Sequence, residues 1–109
     1  MTTRAMQAAV VTGPQRLRVV SLALPAPGPH DLRIQLEGCG VCASNLPVWE
    51  GRPWFTYPLA PGAPGHEGWG RVDAVGREVR GRAVDERVAV MSTHAYATHE
   101  IAQADSAAP

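Results

Sequence analysis

The sequence predicts a mainly β fold, either a barrel or a sandwich. Three observations support this: several short apolar runs of strand length, turns rich in Gly and Pro between them, and little sequence with helical periodicity. Gly and Pro account for 11 and 10 of the 109 residues. Strands do not alternate with helices and no GxGxxG motif is present, so a Rossmann domain is not expected in this chain.

Six strands are predicted from the pattern along the chain. Residues 31–37 alternate apolar and polar side chains, which is the period of a half-buried strand. The predicted strands are residues 6–11, 17–24, 31–37, 69–75, 87–91 and 95–101. The proline-rich stretch 52–64 is predicted to be a long loop of functional type, and residues 103–109 an irregular tail.

One short helix is predicted between the third and fourth strands. Ser44 and Asn45 are favourable N-cap residues, and Pro47 suits a first helical turn. The helix is therefore predicted over Leu46–Glu50 and is ended by Gly51.

Charge and composition exclude several classes of protein. The ten cations, all arginine, equal the ten acids in number, and the densest arginine run, residues 71–87, is interleaved with acids. A nucleic-acid partner, which favours a basic excess, is therefore not expected. No apolar stretch approaches the roughly 20 residues that span a membrane, and no secretory signal is seen. Two cysteines do not make a disulfide framework, so the expected compartment is the cytoplasm.

The pair Cys39 and Cys42 lies between a strand and the predicted helix. It has three functional interpretations: a redox dithiol, half of a structural zinc site, or one metal ligand with one packing residue. Two buried, inert thiols are the alternative without function.

His66 and Glu67 form the second candidate feature, flanked by Gly65 and Gly68. A lone histidine is more often structural. Cys42 and His66 both lie on loops next to strands, however, and thiolate with imidazole suits zinc. The two residues together therefore indicate a metal site.

Two motifs carry a family resemblance. Residues 40–45 (GVCASN) resemble the zinc-ligand segment GxCGTD or GxCxSD of medium-chain alcohol dehydrogenases, and residues 64–76 (PGHEGWGRVDAVG) are similar to that family's GHExxGxVxxVG segment. The gap between Cys42 and His66 also fits the family, and residues 87–90 resemble its GDRV strand. The resemblance implies that residues 1–109 are an incomplete N-terminal catalytic domain: a GroES-like, partly open β-barrel with one or two short helices.

The resemblance also implies roles for individual residues. Cys42 and His66 would be ligands of one catalytic zinc, and Glu67 an acidic neighbour of the metal. Ser44 would hydrogen-bond the substrate hydroxyl and begin a proton relay. Asn45, at a position where the family usually has Asp, would hold the His66 ring from behind, without the charge that makes the histidine a stronger donor.

Some parts of the family pattern are missing or altered. Asp85 and Glu86 stand where Gly-Asp is usual in the family, which puts the turn before the strand at residues 87–91 in doubt but not the zinc site. The third zinc ligand and the Rossmann domain that binds NAD or NADP are expected outside this chain. A barrel lacking strands from elsewhere would leave a sheet edge open, so association into a homo-oligomer is a further expectation.

Aromatic residues and two late histidines complete the candidates. Trp49, Trp54 and Phe55 are predicted to line a substrate channel or, alternatively, to cover the barrel mouth. His94 and His99 are predicted to be surface histidines on late strands.

The function predicted is that of an alcohol dehydrogenase-like oxidoreductase. It would interconvert small alcohols and carbonyl compounds with zinc and NAD(P), and only as part of a longer or complemented enzyme. The alternative is a stand-alone GroES-like barrel that serves as a non-enzymatic binding or remnant module. The Cys39–Cys42 dithiol is disfavoured because redox folds of that type alternate strands with long helices.

Overall fold

The computed structural model describes residues 4–109, and this range forms seven strands and one short α-helix. In chain order they are β1 (Ala5–Gly13), β2 (Arg16–Ala23), β3 (Asp31–Cys39), α1 (Leu46–Glu50), β4 (Gly68–Val75), β5 (Arg87–Val90), β6 (His99–Gln103) and β7 (Ala107–Ala108). Short 3-10 turns cover Ala43–Asn45 and Ala104–Ser106. The first three residues of the predicted domain lie outside this range. Across residues 4–109, helices are too short or too polar to cross a bilayer.

The strands form two antiparallel sheets. β1 and β2 make a hairpin, and the larger sheet has the order β6-β3-β4-β5-β7. The register of β3 against β4 shifts at Arg33/Ile34 and again at Leu36/Gly38. Such shifts bend a strand and increase its twist, and the larger sheet curls into part of a barrel. The prediction of a partly open β-barrel is confirmed.

The core lies on the concave face of the larger sheet. Leu32, Ile34 and Val72 are fully buried at alternate positions of β3 and on β4. Burying one side chain of this size contributes about 1.5–3 kcal/mol. The remaining buried members are Val88, Val90, Ala102 and Ala107. The apolar side chains of the alternating stretch 31–37 therefore face the core, as predicted.

The last predicted strand is shifted along the chain. It was predicted over 95–101, but β6 runs from His99 to Gln103. Residues 95–98 are bonded elsewhere: the Ala95 N–H donates to the Gly65 carbonyl at 3.0 Å and the Thr98 N–H to the Gln7 carbonyl at 2.8 Å. This stretch ties β1 and the loop before His66 together, so it does not form a regular strand.

The tail is ordered, in contrast to the irregular structure predicted for residues 103–109. After the 3-10 turn, β7 pairs with β5 through Ala89 opposite Ala108 and Val90 opposite Ala107. Ala107 is buried in the core. Alanines carry little pattern, and for that reason the sequence did not indicate this strand.

Helix α1 has the predicted bounds and ends at Gly51. Gly51 has φ 86°, in the left-handed region, and its N–H donates to the carbonyls of Pro47 and Val48. A Cβ at this position would lie 2.5 Å from Cγ of Pro14 in the β1–β2 turn. A glycine is needed here both for the backbone angle and for the close approach of the hairpin.

The turn before β5 is retained although Gly is absent. Asp85 has φ 74°, a conformation that Gly adopts freely and Asp tolerates better than most residues. Its N–H donates to the Val72 carbonyl at 2.7 Å, and the Val72 N–H donates to the Glu86 carbonyl at 2.9 Å. Both bonds join the turn to β4.

The prediction of two surface histidines is wrong for His99. His99 on β6 is 7% exposed, and its Nε2 lies 3.5 Å from Oδ2 of Asp73 on β4. The Arg33 guanidinium donates to the other carboxylate oxygen at 2.7 Å. Burial lowers the pKa of His99, while Asp73 opposes that shift. His94 is exposed, as predicted, but lies outside the strands.

Candidate metal centre

Adjacent ends of β3 and β4 bring the candidate ligands together. Cys39, the last residue of β3, is opposite Gly68, the first of β4. Cys42 lies three residues after the end of β3, and His66 lies two residues before the start of β4. Because β3 and β4 are antiparallel, both residues are at the same end of the sheet. One ligand atom from each of Cys42, His66 and Glu67 lies within 4.8 Å of the other two.

The backbone around this cluster is closely packed. The Gly40 N–H donates to the Glu67 carbonyl at 3.0 Å, which extends the β3–β4 pairing beyond the ladder. A Cβ on Gly40 would overlap the Glu67 carboxylate. The glycine between the two cysteines therefore lets the acidic side chain lie across the loop.

His66 is oriented by a backbone carbonyl. Its Nδ1 lies 3.0 Å from the Pro64 carbonyl oxygen, while its Nε2 is 3.7 Å from Oε2 of Glu67. The bond to Pro64 raises the pKa of His66, and Cys42 adds to this while burial opposes it. In the neutral ring, Nδ1 carries the proton, so the lone pair of Nε2 faces the cluster.

Cys42 and Cys39 have opposite environments. Hydrogen bonds from Ser44, the side chain first and then the backbone, lower the pKa of Cys42, and His66 adds to this. Burial raises the pKa of Cys39, whose Sγ lies 3.3 Å from the Gly40 carbonyl oxygen. Thiolate is the form that binds metals, so Cys42 is the cysteine suited to be a ligand.

The sequence predicts that Asn45 holds the His66 ring. In the structure, the Asn45 amide hydrogen-bonds to two other residues. Its Nδ2 donates to the Pro64 carbonyl at 3.3 Å, and its Oδ1 accepts from the Tyr96 hydroxyl at 2.6 Å. The His66 ring hydrogen-bonds to the Pro64 carbonyl, so Asn45 reaches the histidine through that carbonyl. An amide can donate and accept at once, and this chain uses both ends.

A groove of about 510 Å³ opens beside Cys42. Asn45, Pro64 and Tyr96 line it, together with mostly apolar residues: Ala9, Val11, Leu17, Val41, Leu46, Val48 and Trp49. Of the aromatic residues predicted to line a channel, Trp49 reaches this groove. Trp54 and Phe55 are not in its lining; they pack on each other with ring centroids 6.0 Å apart, and Trp54 is 70% exposed.

The sequence does not indicate a role for two residues with notable positions in the structure, Tyr96 and Glu100. Tyr96 is 51 positions from its partner Asn45, and no local pattern pairs them. Glu100 is 3% exposed on the concave face, opposite Ile34, at a position where the strand pattern indicates an apolar residue. Neither carries a motif, and their partners appear only once the strands are assembled.

Residues 28–107 match the family described as the alcohol dehydrogenase GroES-like domain. This match covers most of the chain and includes both motifs of the candidate centre.

The chain belongs to this family.

Curated members of the family are similar over part of their length. Sorbitol dehydrogenase of Ovis aries is 36% identical over 81 residues, which are 74% of this chain and 23% of that protein. The starvation-sensing protein RspB of Escherichia coli is 34% identical over 86 residues, 78% of this chain and 24% of that protein. The chain thus spans about a quarter of the length of these relatives.

Solved structures show that the fold is shared. An Escherichia coli alcohol dehydrogenase (rspB) in complex with NADH aligns with a TM-score of 0.80 at 23% identity, over 95% of this chain and 38% of that one. A thermostable alcohol dehydrogenase of Pyrobaculum aerophilum with cobalt and zinc bound aligns with a TM-score of 0.80 at 22% identity, over 95% and 41%. The predicted family and fold are confirmed.

Proposed function

We propose that this chain is the metal-carrying part of a zinc-dependent alcohol dehydrogenase that interconverts small alcohols and carbonyl compounds with NAD or NADP. The observation that carries the proposal is the convergence of Cys42, His66 and Glu67 within 4.8 Å. These residue types come from two motifs 24 positions apart and meet at one end of the sheet. A scaffold without chemistry has no need of a thiol, an imidazole and a carboxylate at one point.

The donor set fits zinc in chemistry and in spacing. Zinc binds thiolate sulfur and imidazole nitrogen at roughly 2.0–2.3 Å, which places tetrahedral ligands about 3.5 Å apart. The observed limit of 4.8 Å is close enough for small side-chain rotations to reach this spacing. Zinc, when bound, would supply Lewis-acid chemistry that lowers the pKa of an alcohol.

Each residue of the cluster has a proposed task. Cys42 and His66 hold the metal, and Glu67 supplies negative charge beside it. Ser44 is exposed and lies two residues after Cys42, and its hydroxyl is the main cause of the lowered pKa of Cys42. A hydroxyl at that point is suited to take a proton from a substrate alcohol and pass it outward. Trp49 contributes an apolar wall beside Cys42.

Other components are proposed to come from outside these residues. The third protein ligand and the Rossmann domain that binds NAD or NADP are assigned to the rest of a longer or complemented enzyme, because relatives are about four times as long as the matched region. The cytoplasm is the proposed compartment, since both cysteines are free. Association into a homo-oligomer remains a prediction.

The test is an oxidation assay on the full gene product with NAD⁺ and NADP⁺. The alcohols should include a primary, a secondary and a polyhydric compound. Cys42→Ser and His66→Ala are each expected to reduce kcat/KM about a thousandfold, because the loss of metal polarisation costs several kcal/mol of transition-state stabilisation.

Matched controls are available for both changes. Cys39→Ser and His94→Ala alter the same residue types outside the cluster and are expected to stay within about threefold of the unchanged protein. Full activity in Cys42→Ser would contradict the proposal. Loss of activity in Cys39→Ser, with a disulfide in the unchanged protein, would instead favour the dithiol interpretation.

A further inference from the structure

Tyr96 is tied to the candidate metal centre by a chain of hydrogen bonds. Its hydroxyl donates to Oδ1 of Asn45 at 2.6 Å. The backbone of Tyr96 is itself fixed on two sides: its N–H donates to the Gly62 carbonyl at 3.1 Å, and its carbonyl accepts from the Ala9 N–H at 2.9 Å. The phenol is therefore presented to Asn45 from a well-anchored position.

Asn45 transmits this contact to a single backbone carbonyl. With Oδ1 engaged by Tyr96, Nδ2 is directed to the Pro64 carbonyl at 3.3 Å. The same oxygen faces Nδ1 of His66 at 3.0 Å. A carbonyl oxygen has two lone pairs, and here both have a donor.

The direction of this carbonyl decides which nitrogen of His66 faces the cluster. A proton held on Nδ1 by Pro64 leaves the lone pair on Nε2, the nitrogen 3.7 Å from the Glu67 carboxylate. The opposite tautomer would place a hydrogen on Nε2 and prevent it from binding a metal. The orientation of Pro64 is thus part of the centre.

We propose that Tyr96 is a positioning residue that acts through Asn45 and the Pro64 carbonyl to hold His66 in the tautomer with a free Nε2. The inference rests on the proposed metal centre and adds a residue outside both motifs. The Tyr96 hydroxyl fixes the amide of Asn45, and the amide fixes the carbonyl. Removing the hydroxyl frees the amide to rotate and weakens the hold on the ring.

The experiment compares Tyr96→Phe with Tyr57→Phe in the full gene product. Tyr57 is a matched control because its hydroxyl also makes a part-buried hydrogen bond, to the Val48 carbonyl on α1 and not to Asn45, Pro64 or His66. Zinc affinity is measured by competition with a chelator. Tyr96→Phe is expected to weaken zinc binding about tenfold, the lower end of the effect of outer partners of ligating histidines, and Tyr57→Phe less than twofold.

A second measurement on the metal-free protein reads the tautomer directly. The ¹⁵N chemical shifts of the neutral His66 ring are expected to report a proton on Nδ1 in the unchanged protein, and a larger share on Nε2 in Tyr96→Phe. Unfolding midpoints are recorded for each variant, so that a general loss of stability is recognised.

The outcomes separate the inference from the proposed function. Unchanged tautomer and unchanged zinc affinity in Tyr96→Phe would overturn the inference, as would an equal loss in both tyrosine variants. If the unchanged protein binds no zinc, the proposed function fails. The ¹⁵N shifts then still decide whether Tyr96 controls the ring.

Discussion

At the scale of single residues, Glu100 is a carboxylic acid buried beside the apolar core, where it lies opposite Ile34. Its Oε2 accepts a hydrogen bond from the Ser92 hydroxyl, and its Oε1 is buried without a hydrogen-bond partner in residues 4–109. Burial raises the pKa of Glu100, and the bond from Ser92 only partly opposes this. The charged form is therefore costly in the folded protein.

We expect Glu100→Gln to stabilise the protein increasingly as pH rises. Well below about pH 4.3, the ordinary pKa of a glutamate, the acid is neutral in both the folded and the unfolded state. Above this pH the carboxyl of the unfolded chain ionises first, so the free energy of unfolding falls as the pH rises toward the raised pKa of the folded protein. The amide of Glu100→Gln does not ionise, so the variant does not lose this stability. Urea unfolding at pH 4 and pH 8 measures the difference in the free energy of unfolding between the variant and the unchanged protein. A difference that is constant or narrows would refute the argument; Glu50→Gln, on the surface, serves as control.

Sequence reasoning was effective for residues that belong to a spaced motif. Cys42 and His66 are indicated because thiolate and imidazole suit zinc, and Glu67 because of the resemblance to the family's GHE motif; the structure brings the three together. The partner of His66 could not be derived in this way. The Asn45 amide can turn either end toward Pro64, and the hydroxyl of Tyr96, far along the chain, holds Oδ1 so that Nδ2 faces the Pro64 carbonyl.

At the scale of elements, the turn before β5 retains its shape with an unfavourable residue. Asp85 at φ 74° adopts a conformation that costs an L residue roughly 1 kcal/mol relative to glycine. Asp85→Gly is therefore expected to raise the free energy of unfolding by no more than about 0.5 kcal/mol, because the added entropy of the unfolded chain, about 0.4–1 kcal/mol, offsets most of the gain. Denaturant unfolding tests this. Asp105→Gly, in a 3-10 turn, should not stabilise, and a loss of stability in Asp85→Gly would show that the Asp side chain supports the turn.

Elements with a clear pattern were predicted and those without one were not. The alternation of residues 31–37 is a local signal and gave the observed strand, and Pro47 and Gly51 marked the two ends of α1. The N-cap prediction was wrong, because the Asn45 side chain makes no cap hydrogen bond and instead bonds to Pro64 and Tyr96. β6 was misplaced because residues 95–98, although strand-like, bond to β1 and to the loop before His66. β7 consists of two alanines held by pairing with β5, a contact between distant parts of the chain.

At the scale of the whole molecule, the larger sheet and the β1–β2 hairpin together support the corner where the candidate metal ligands meet. Residue 97 bridges to residue 8, and the neighbouring Tyr96 bonds to Asn45, so the hairpin, the larger sheet and α1 meet beside Cys42. The absence of strand–helix alternation predicted that this chain has no Rossmann domain, and the described residues form none.

The proposed metal centre is tested by the zinc content of the full gene product, purified without added metal and measured by elemental analysis beside His66→Ala and His94→Ala. We expect about one zinc per chain in the unchanged protein and in His94→Ala, and little in His66→Ala. A protein without zinc, or one that keeps its zinc after His66→Ala, would contradict it and favour a barrel that serves as a binding module.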